Sequence, residues 1–380
     1  MSARRPSKQA KRFAVPKHEQ TVLVLQGGGA LGAYQAGVYE GMAERGLAPN
    51  WVTGVSIGAI NGALIAGNAP ERRLERLREF WDRVSSGIPI VMPAYLDPVR
   101  LAFNRISAMT TTTFGVPGFF VPRIPPPYFS PDGSPGALSV YDTSPLRETL
   151  EELVDFDIIN RKEVRLSVGA TDIQTGNSVY FDNLQKTIAP EHIMASGALP
   201  PGLPPIVIDG VQYWDGGIVS NSPLWYVLDD APGLSALIAQ VDLFSARGPM
   251  PNNLDEVLER AKDIQFSSKT RFNTTRIQEL EGVRAALGRL LHKLPPKFRD
   301  DPDVRMLAPL ARGRHHVTIM HLINRRSAYS SSDKDYLFSR AEVRQLWEAG
   351  LEDVRRSCAN SQWRSATETV HGIRVFDLAG

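Results

Sequence analysis

Cysteine is nearly absent: Cys358 is the one thiol in 380 residues. An intrachain disulfide and a cysteine-based metal cluster are therefore excluded, and the chain is expected to occupy a reducing compartment and to draw its stability from packing. Long apolar runs are missing as well. No stretch of 18 consecutive apolar residues occurs, so a membrane-spanning helix is not expected, and the first residues lack the apolar core of a secretion signal. A cytoplasmic location is the resulting expectation, with peripheral contact to a membrane left open. An excess of one charge is also lacking. The 43 Lys and Arg against 41 Asp and Glu leave a net charge of +2, which excludes a surface directed mainly at nucleic acid. Positive charge gathers in residues 1–20, where Arg4, Arg5, Lys8, Lys11, Arg12 and Lys17 read as a solvated basic arm.

The 42% hydrophobic content is enough for a large core, and three short segments stand out against it. The first runs from Trp51 to Gly67, WVTGVSIGAINGALIAG, and places Gly54-Val55-Ser56-Ile57-Gly58 between a short apolar strand and a small-residue helix. A serine at a sharp strand-to-helix turn is pushed clear of the backbone, and Gly54 and Gly58 are required because side chains there would strike the neighbouring turn. This is the pattern of a nucleophile elbow, with Ser56 as the candidate nucleophile.

The second segment follows Thr21 to Gln26, TVLVLQ, a continuous apolar run of buried-strand type. Gly27, Gly28, Gly29, Ala30, Leu31 and Gly32 come next and open a helix. Backbone N–H groups at such a helix start favour negative charge, and two chemistries use the device. Gly27-x-Gly29-x-x-Gly32 matches a dinucleotide-binding loop, which also needs an acidic residue about 20 positions on to hold the ribose. Leu47 to Ser56 supplies none, and that strand runs straight into the serine. The other chemistry is an oxyanion hole for acyl transfer, which calls for a nucleophile one strand–helix unit later.

The third segment is Asp215-Gly216-Gly217 after a strand at Val211 to Trp214. A hydroxyl nucleophile needs a base. The histidines, His18, His192, His292, His315, His316, His321 and His371, lie in no recognisable triad context. Asp215 is the better candidate, since Gly216 and Gly217 let a carboxylate approach a neighbouring loop. An ordinary aspartate, with a pKa of about 3.9, is a weak base for an alcohol, so most of the rate must come from positioning and the oxyanion loop.

Together the three segments resemble the patatin-like phospholipases over about residues 21–228. The resemblance implies a Ser–Asp dyad of Ser56 and Asp215, an oxyanion hole at Gly27 to Gly32, and a lipid or phospholipid ester as substrate, with neither metal nor cofactor. Ala195-Ser196 with Pro200 is similar to a further signature of that family. Leu31 stands where the family loop usually carries arginine.

The expected architecture is a three-layer α/β/α fold with a mostly parallel central sheet across residues 21–245 and a helical C-terminal extension over 246–380. Residues 88–136 hold ten of the 28 prolines together with Phe114, Phe119, Phe120, Tyr128 and Phe129. They read as an apolar insertion without ordinary helix or central strand, serving as a lid, an acyl-chain wall or plain packing. In the extension, Leu254, Val257, Leu258, Ala261 and Ile264 form one apolar stripe. Arg276 to Arg299 is basic and amphipathic, suited to packing with snorkelling lysines or to an anionic surface. Besides an acyl hydrolase, a lipid- or granule-surface binding protein with a vestigial dyad and a dinucleotide-binding protein remain as alternatives.

Overall fold

The run Thr21 to Leu25 is apolar at every position because both of its faces are covered. Val22 and Val24 join one buried cluster with Ala236, Ile238, Val317 and Ile319, while Leu23 and Leu25 join another with Leu237, Ala239, Met320 and Leu322. Alternate residues of one strand thus feed two cores, the signature of a sheet between two helical layers. Each such buried side chain contributes about 1.5–3 kcal/mol.

This computed structural model describes residues 19–86, 97–230, 235–268, 270–311, 316–325, 334–360, 362 and 372–378. The basic arm up to residue 18, residues 88–96 of the insertion, His315 and His371 lie outside the described residues. The first part of the chain forms β1 (Gln20–Leu25), α1 (Ala33–Glu44), β2 (Trp51–Val55), α2 (Ile57–Ala66), α3 (Arg73–Val84) and α4 (Asp97–Phe114). After these come β3 (Val121–Pro122), β4 (Tyr141–Asp142), α5 (Ser144–Leu153), α6 (Phe156–Asn160), β5 (Arg165–Asp172), β6 (Ser178–Asp182) and α7 (Pro190–Ser196). The motif-bearing part closes with β7 (Ile206–Ile208), β8 (Val211–Asp215), α8 (Leu224–Asp230) and β9 (Ser235–Asp242). Beyond it lie α9 (Leu254–Phe266), α10 (Thr270–Lys293), α11 (Pro302–Leu310), β10 (His316–Ile323), α12 (Arg340–Ala359) and β11 (Gly372–Phe376).

The main sheet has the order β11-β10-β9-β1-β2-β5-β8-β7, with β6 also paired to β5. Pairing is parallel from β11 through β5, and antiparallel where β5 meets β6 and β8 and where β7 meets β8. The sheet does not stop at residue 245. Strand β10 continues it in full register with β9, from His316 on Ser235 to Ile323 on Asp242, and β11 adds a further parallel strand. Helix α12 lies on α1, and Gly37 and Gly350 let the two approach: a side-chain carbon on Gly37 would fall 1.9 Å from the Trp347 carbonyl oxygen. The C-terminal region is therefore part of the same sheet and core rather than an appendage to it.

Two expectations for the insertion are corrected. It contains an 18-residue helix, α4, because its prolines sit at its ends: none falls between Pro98 and Pro117, and Pro98 occupies the first turn, where a missing N–H costs little. Phe119 and Phe120 are not open to an acyl chain. They are 7% and 4% exposed, with ring centroids 6.0 Å from Phe338 and 4.7 Å from Tyr141, and they are core. Among the described residues, the exposed large apolar side chains of this stretch are Ile106, Met109, Phe114, Val121, Ile124, Tyr128 and Phe129.

Helix α9 is inverted relative to an ordinary surface helix. Its stripe of Leu254, Val257, Leu258, Ala261 and Ile264 faces solvent, and its charged face turns to the protein. Asp263 meets Lys334 at 2.6 Å, and Lys262 meets Asp335 at 2.5 Å. Arg260 donates to the Ser245 carbonyl at 3.1 Å. Among the described residues no helix is long and apolar enough to cross a membrane.

Candidate active site

Ser56 stands directly after β2 with φ 56° and ψ −125°, a conformation that non-glycine residues rarely adopt and that costs on the order of 1–3 kcal/mol. Four backbone contacts hold it there. Its N–H donates to the Ser196 carbonyl at 3.1 Å and to Ser196 Oγ at 3.0 Å, and its carbonyl accepts from the amides of Ala59 at 2.9 Å and Ile60 at 3.3 Å. Ser196 Oγ in turn donates to the Gly169 carbonyl at 2.6 Å. The glycines expected at the elbow are sterically required: a side-chain carbon on Gly54 would fall 2.3 Å from the Gly58 carbonyl group, and one on Gly58 would fall 2.5 Å from the Leu25 carbonyl oxygen.

Strand β5 brings Asp215 to the serine through its register. Val55 pairs with Gly169, and Asp215 pairs with Ala170, so the ends of β2 and β8 sit at adjacent positions of one strand. Asp215 is 2% exposed. Its Oδ1 accepts from the Gly217 N–H at 2.7 Å, and Thr171 Oγ1 donates to its main-chain carbonyl at 2.9 Å. A side-chain carbon on Gly216 would lie 2.5 Å from the Gly169 carbonyl oxygen, and one on Gly217 would lie 3.0 Å from Asp215 Oδ1. Burial pushes the Asp215 carboxyl up to about 6, against the hydrogen bonds from the Ser56 hydroxyl and the Gly217 N–H that favour its charged form. Asp215 is thereby a better proton acceptor than the ordinary aspartate expected from the sequence.

The described histidines named above include two that are engaged elsewhere. His192 Nδ1 accepts from the Ala189 N–H at 3.0 Å, and His321 Nε2 lies 2.6 Å from Asp242 Oδ2. Among the described residues, no group of three or more His, Cys, Asp or Glu is placed to hold a metal ion.

The glycine loop lies against the serine. A side-chain carbon on Gly27 would come within 3.0 Å of Ser56 Cβ and 2.5 Å of Asn221 Oδ1. Gly28 caps a short 3₁₀ turn, Gly29–Gly32, that leads into α1, so its first amides have no acceptor inside the helix and are available to an anion. Gly29 has φ +54°, and Ala30 and Gly32 are buried.

A family model described as Patatin-like phospholipase matches residues 23–228, more than half of the chain. The chain belongs to the patatin-like phospholipase family. A second model, described as Patatin phospholipase, matches residues 264–369, most of the region that the sequence alone left without a role. The crystal structure of VipD from Legionella pneumophila is similar at 14% identity, over 87% of this chain and 67% of that chain, with a TM-score of 0.31. No curated protein matches. Membership of the patatin-like family makes the chain a lipid acyl hydrolase in general terms, with lipid as its substrate class.

The departure from the family loop at Leu31 has a structural counterpart. Leu31 is 4% exposed and belongs to the main core cluster, so this position contributes packing rather than charge. Polar residues that the sequence did not mark also converge on the loop. Gln26, fully buried, accepts through Oε1 from the amides of Leu243 at 2.6 Å and Phe244 at 3.0 Å. Gln35 donates to the Gln26 carbonyl at 2.6 Å, and Asn61 donates to the Gly32 carbonyl at 3.0 Å. Asn221 donates to the Gly27 carbonyl at 3.1 Å. A polar residue closing an apolar strand, as Gln26 does, was the one available sequence signal.

Proposed function

We propose that the chain cleaves carboxylic ester bonds of lipids by a Ser56–Asp215 dyad through an acyl-serine intermediate. The observation that carries this reading is a serine in a strained elbow hydrogen-bonded to a buried aspartate whose pKa is raised to about 6, beside a loop of free helix-start amides. Ser56 Oγ attacks the ester carbonyl carbon while its proton passes to the Asp215 carboxylate. The amides at Gly28 to Ala30 are the donors that stabilise the negative oxygen of the tetrahedral intermediate. Collapse expels the alcohol, which takes the proton from Asp215 and leaves the acyl group on Ser56. Water then attacks the acyl-serine, again giving a proton to Asp215, and the second collapse returns it to Ser56 and frees the fatty acid.

A base must be ionised to act. Activity is therefore expected to fall about tenfold per pH unit below a limb near pH 6, and to lie level above it. A kcat/KM profile for a soluble ester measures this, and a limb near pH 4 would mean that Asp215 is not the titrating base. The reaction itself is tested by incubating the protein with phosphatidylcholine vesicles and measuring released fatty acid by mass spectrometry. Release that disappears in the Ser56→Ala variant supports the reading. Binding to vesicles without release, from these or from soluble esters, favours a lipid-surface binding protein with an inactive dyad.

Contact with lipid is assigned to the exposed side chains of the insertion. Replacing Tyr128 and Phe129 by serine should lower turnover of vesicle lipid about tenfold or more relative to a soluble short ester, since each lost aromatic contact removes on the order of 1 kcal/mol. Replacing Phe119 and Phe120 should instead lower the melting temperature and both activities alike, because those rings are core. An unchanged activity ratio in the Tyr128 and Phe129 variant would place the lipid contact elsewhere.

A further inference from the structure

Phe266 closes α9, and the last carbonyls of a helix have no partner within it. Its carbonyl oxygen accepts two side-chain hydrogen bonds, from Gln26 Nε2 at 2.9 Å and from Asn221 Nδ2 at 2.9 Å. The same Asn221 holds Gly27 on both sides of its α-carbon: Nδ2 donates to the Gly27 carbonyl at 3.1 Å, and the Asn221 carbonyl accepts from the Gly27 N–H at 3.3 Å. Two carbonyl acceptors on one side of the amide fix its orientation, since the flipped form would set its oxygen against both. Gly27 is also the residue whose α-carbon faces Ser56 Cβ.

One carbonyl oxygen therefore joins the two family-matched regions. Gly27, Ser56 and Asn221 fall within residues 23–228, and Phe266 falls within 264–369. A second contact from the C-terminal side reaches the same loop: the Asp335 carbonyl lies 2.3 Å from where a side-chain carbon on Gly29 would sit. Asp335 is tied to α9 through Lys262, and its neighbour Lys334 is tied to Glu259 at 3.1 Å and Asp263 at 2.6 Å. Helix α9 and the turn at Lys334–Tyr336 thus form one ion-paired brace behind the glycine loop.

We propose that Asn221 is a positioning residue that fastens the oxyanion loop to the end of α9, so that the C-terminal region sets the geometry of the catalytic loop. Asn221 touches no reacting atom in this account and acts through Gly27. The proposal rests on the function assigned above to the loop amides. A loop that is loosened by a few tenths of an ångström loses its match to the tetrahedral intermediate more than its match to bound ester.

The test compares the full-length parent with Asn221→Ala and with Asn221→Leu, which refills the volume without the donor. The expected result is a fall in kcat of about 30-fold or more with KM for a short ester within about twofold, at a nearly unchanged melting temperature. Affinity for a trifluoromethyl ketone, which forms the tetrahedral adduct, should fall by the same factor as kcat. Hydrogen exchange of residues 26–32 should accelerate in both variants and stay unchanged in distant strands. Unchanged kcat and exchange, equal losses of kcat and KM together with a lower melting temperature, or failure of both variants to fold would each overturn the proposal. If the parent itself turns over no ester, the assigned function fails, and exchange of residues 26–32 still decides whether the clamp exists.

Discussion

Replacing Ser56 by alanine is expected to lower turnover of a short-chain nitrophenyl ester by on the order of a thousandfold or more, with the fold retained. The size of the loss follows from the chemistry: without the hydroxyl there is no acyl-serine, and the loop amides alone can only assist direct attack by water. Retention of the fold follows from the contacts. Ser56 is held by its N–H and carbonyl, which alanine keeps, and the side chain contributes a hydrogen bond to a carboxylate rather than core volume. The strained φ of 56° remains, so no stability is gained by relaxing it. Steady-state kinetics with circular dichroism and a melting curve check both halves. Turnover above about a thousandth of the parent, at full folding, would remove Ser56 from the role of nucleophile.

Asp215→Asn is expected to lose a similar factor in kcat while melting higher than the parent at pH 8. Asparagine keeps an oxygen for the Gly217 N–H and the Ser56 hydroxyl but cannot take a proton. The stability change has a definite sign. The carboxyl titrates near 6 in the folded chain and near 3.9 unfolded, so the folded state binds the proton more tightly. Keeping Asp215 ionised in the fold then costs about 3 kcal/mol, a penalty that grows as pH rises from about 4 to about 6 and is complete above that. The uncharged variant escapes it, and the two proteins should converge in stability near pH 4. If Ser56 and Asp215 act as one unit, as proposed, the double variant should be little slower than either single one. Multiplicative losses would indicate separate roles, and a variant that melts lower at pH 8 would show that the buried charge is not the destabilising feature.

The elements legible in the sequence are those whose cause is local. Thr21 to Leu25 declares a doubly covered strand because all its positions are apolar, and the elbow declares itself because Gly54 and Gly58 are needed within four residues of each other. Helix α4 was hidden because the prolines of 88–136, taken together, obscured a window free of them inside it. Phe119 and Phe120 could not be told from Tyr128 and Phe129 by type, since burial is decided by Phe338 and Tyr141, distant in the chain. The same holds for the site. Gln26 and Asn221 meet Phe266 across 240 and 45 residues, and no local pattern encodes those bonds. The raised pKa of Asp215 is likewise a product of tertiary burial, so an ordinary carboxylate was all that the sequence offered. Strand β11 lies at the sheet edge, and Arg374 between Ile373 and Val375 denies it the continuous apolar run that marks β1.

The central claim is that Ser56 is an activated nucleophile, and covalent labelling with a fluorophosphonate probe tests it most directly. Peptide mapping by mass spectrometry should find one adduct, on the peptide carrying Ser56, absent in Ser56→Ala and formed at least about a hundredfold more slowly in Asp215→Asn. Absence of any adduct on the folded protein, or an adduct on a different serine that survives the Ser56→Ala substitution, would contradict the account.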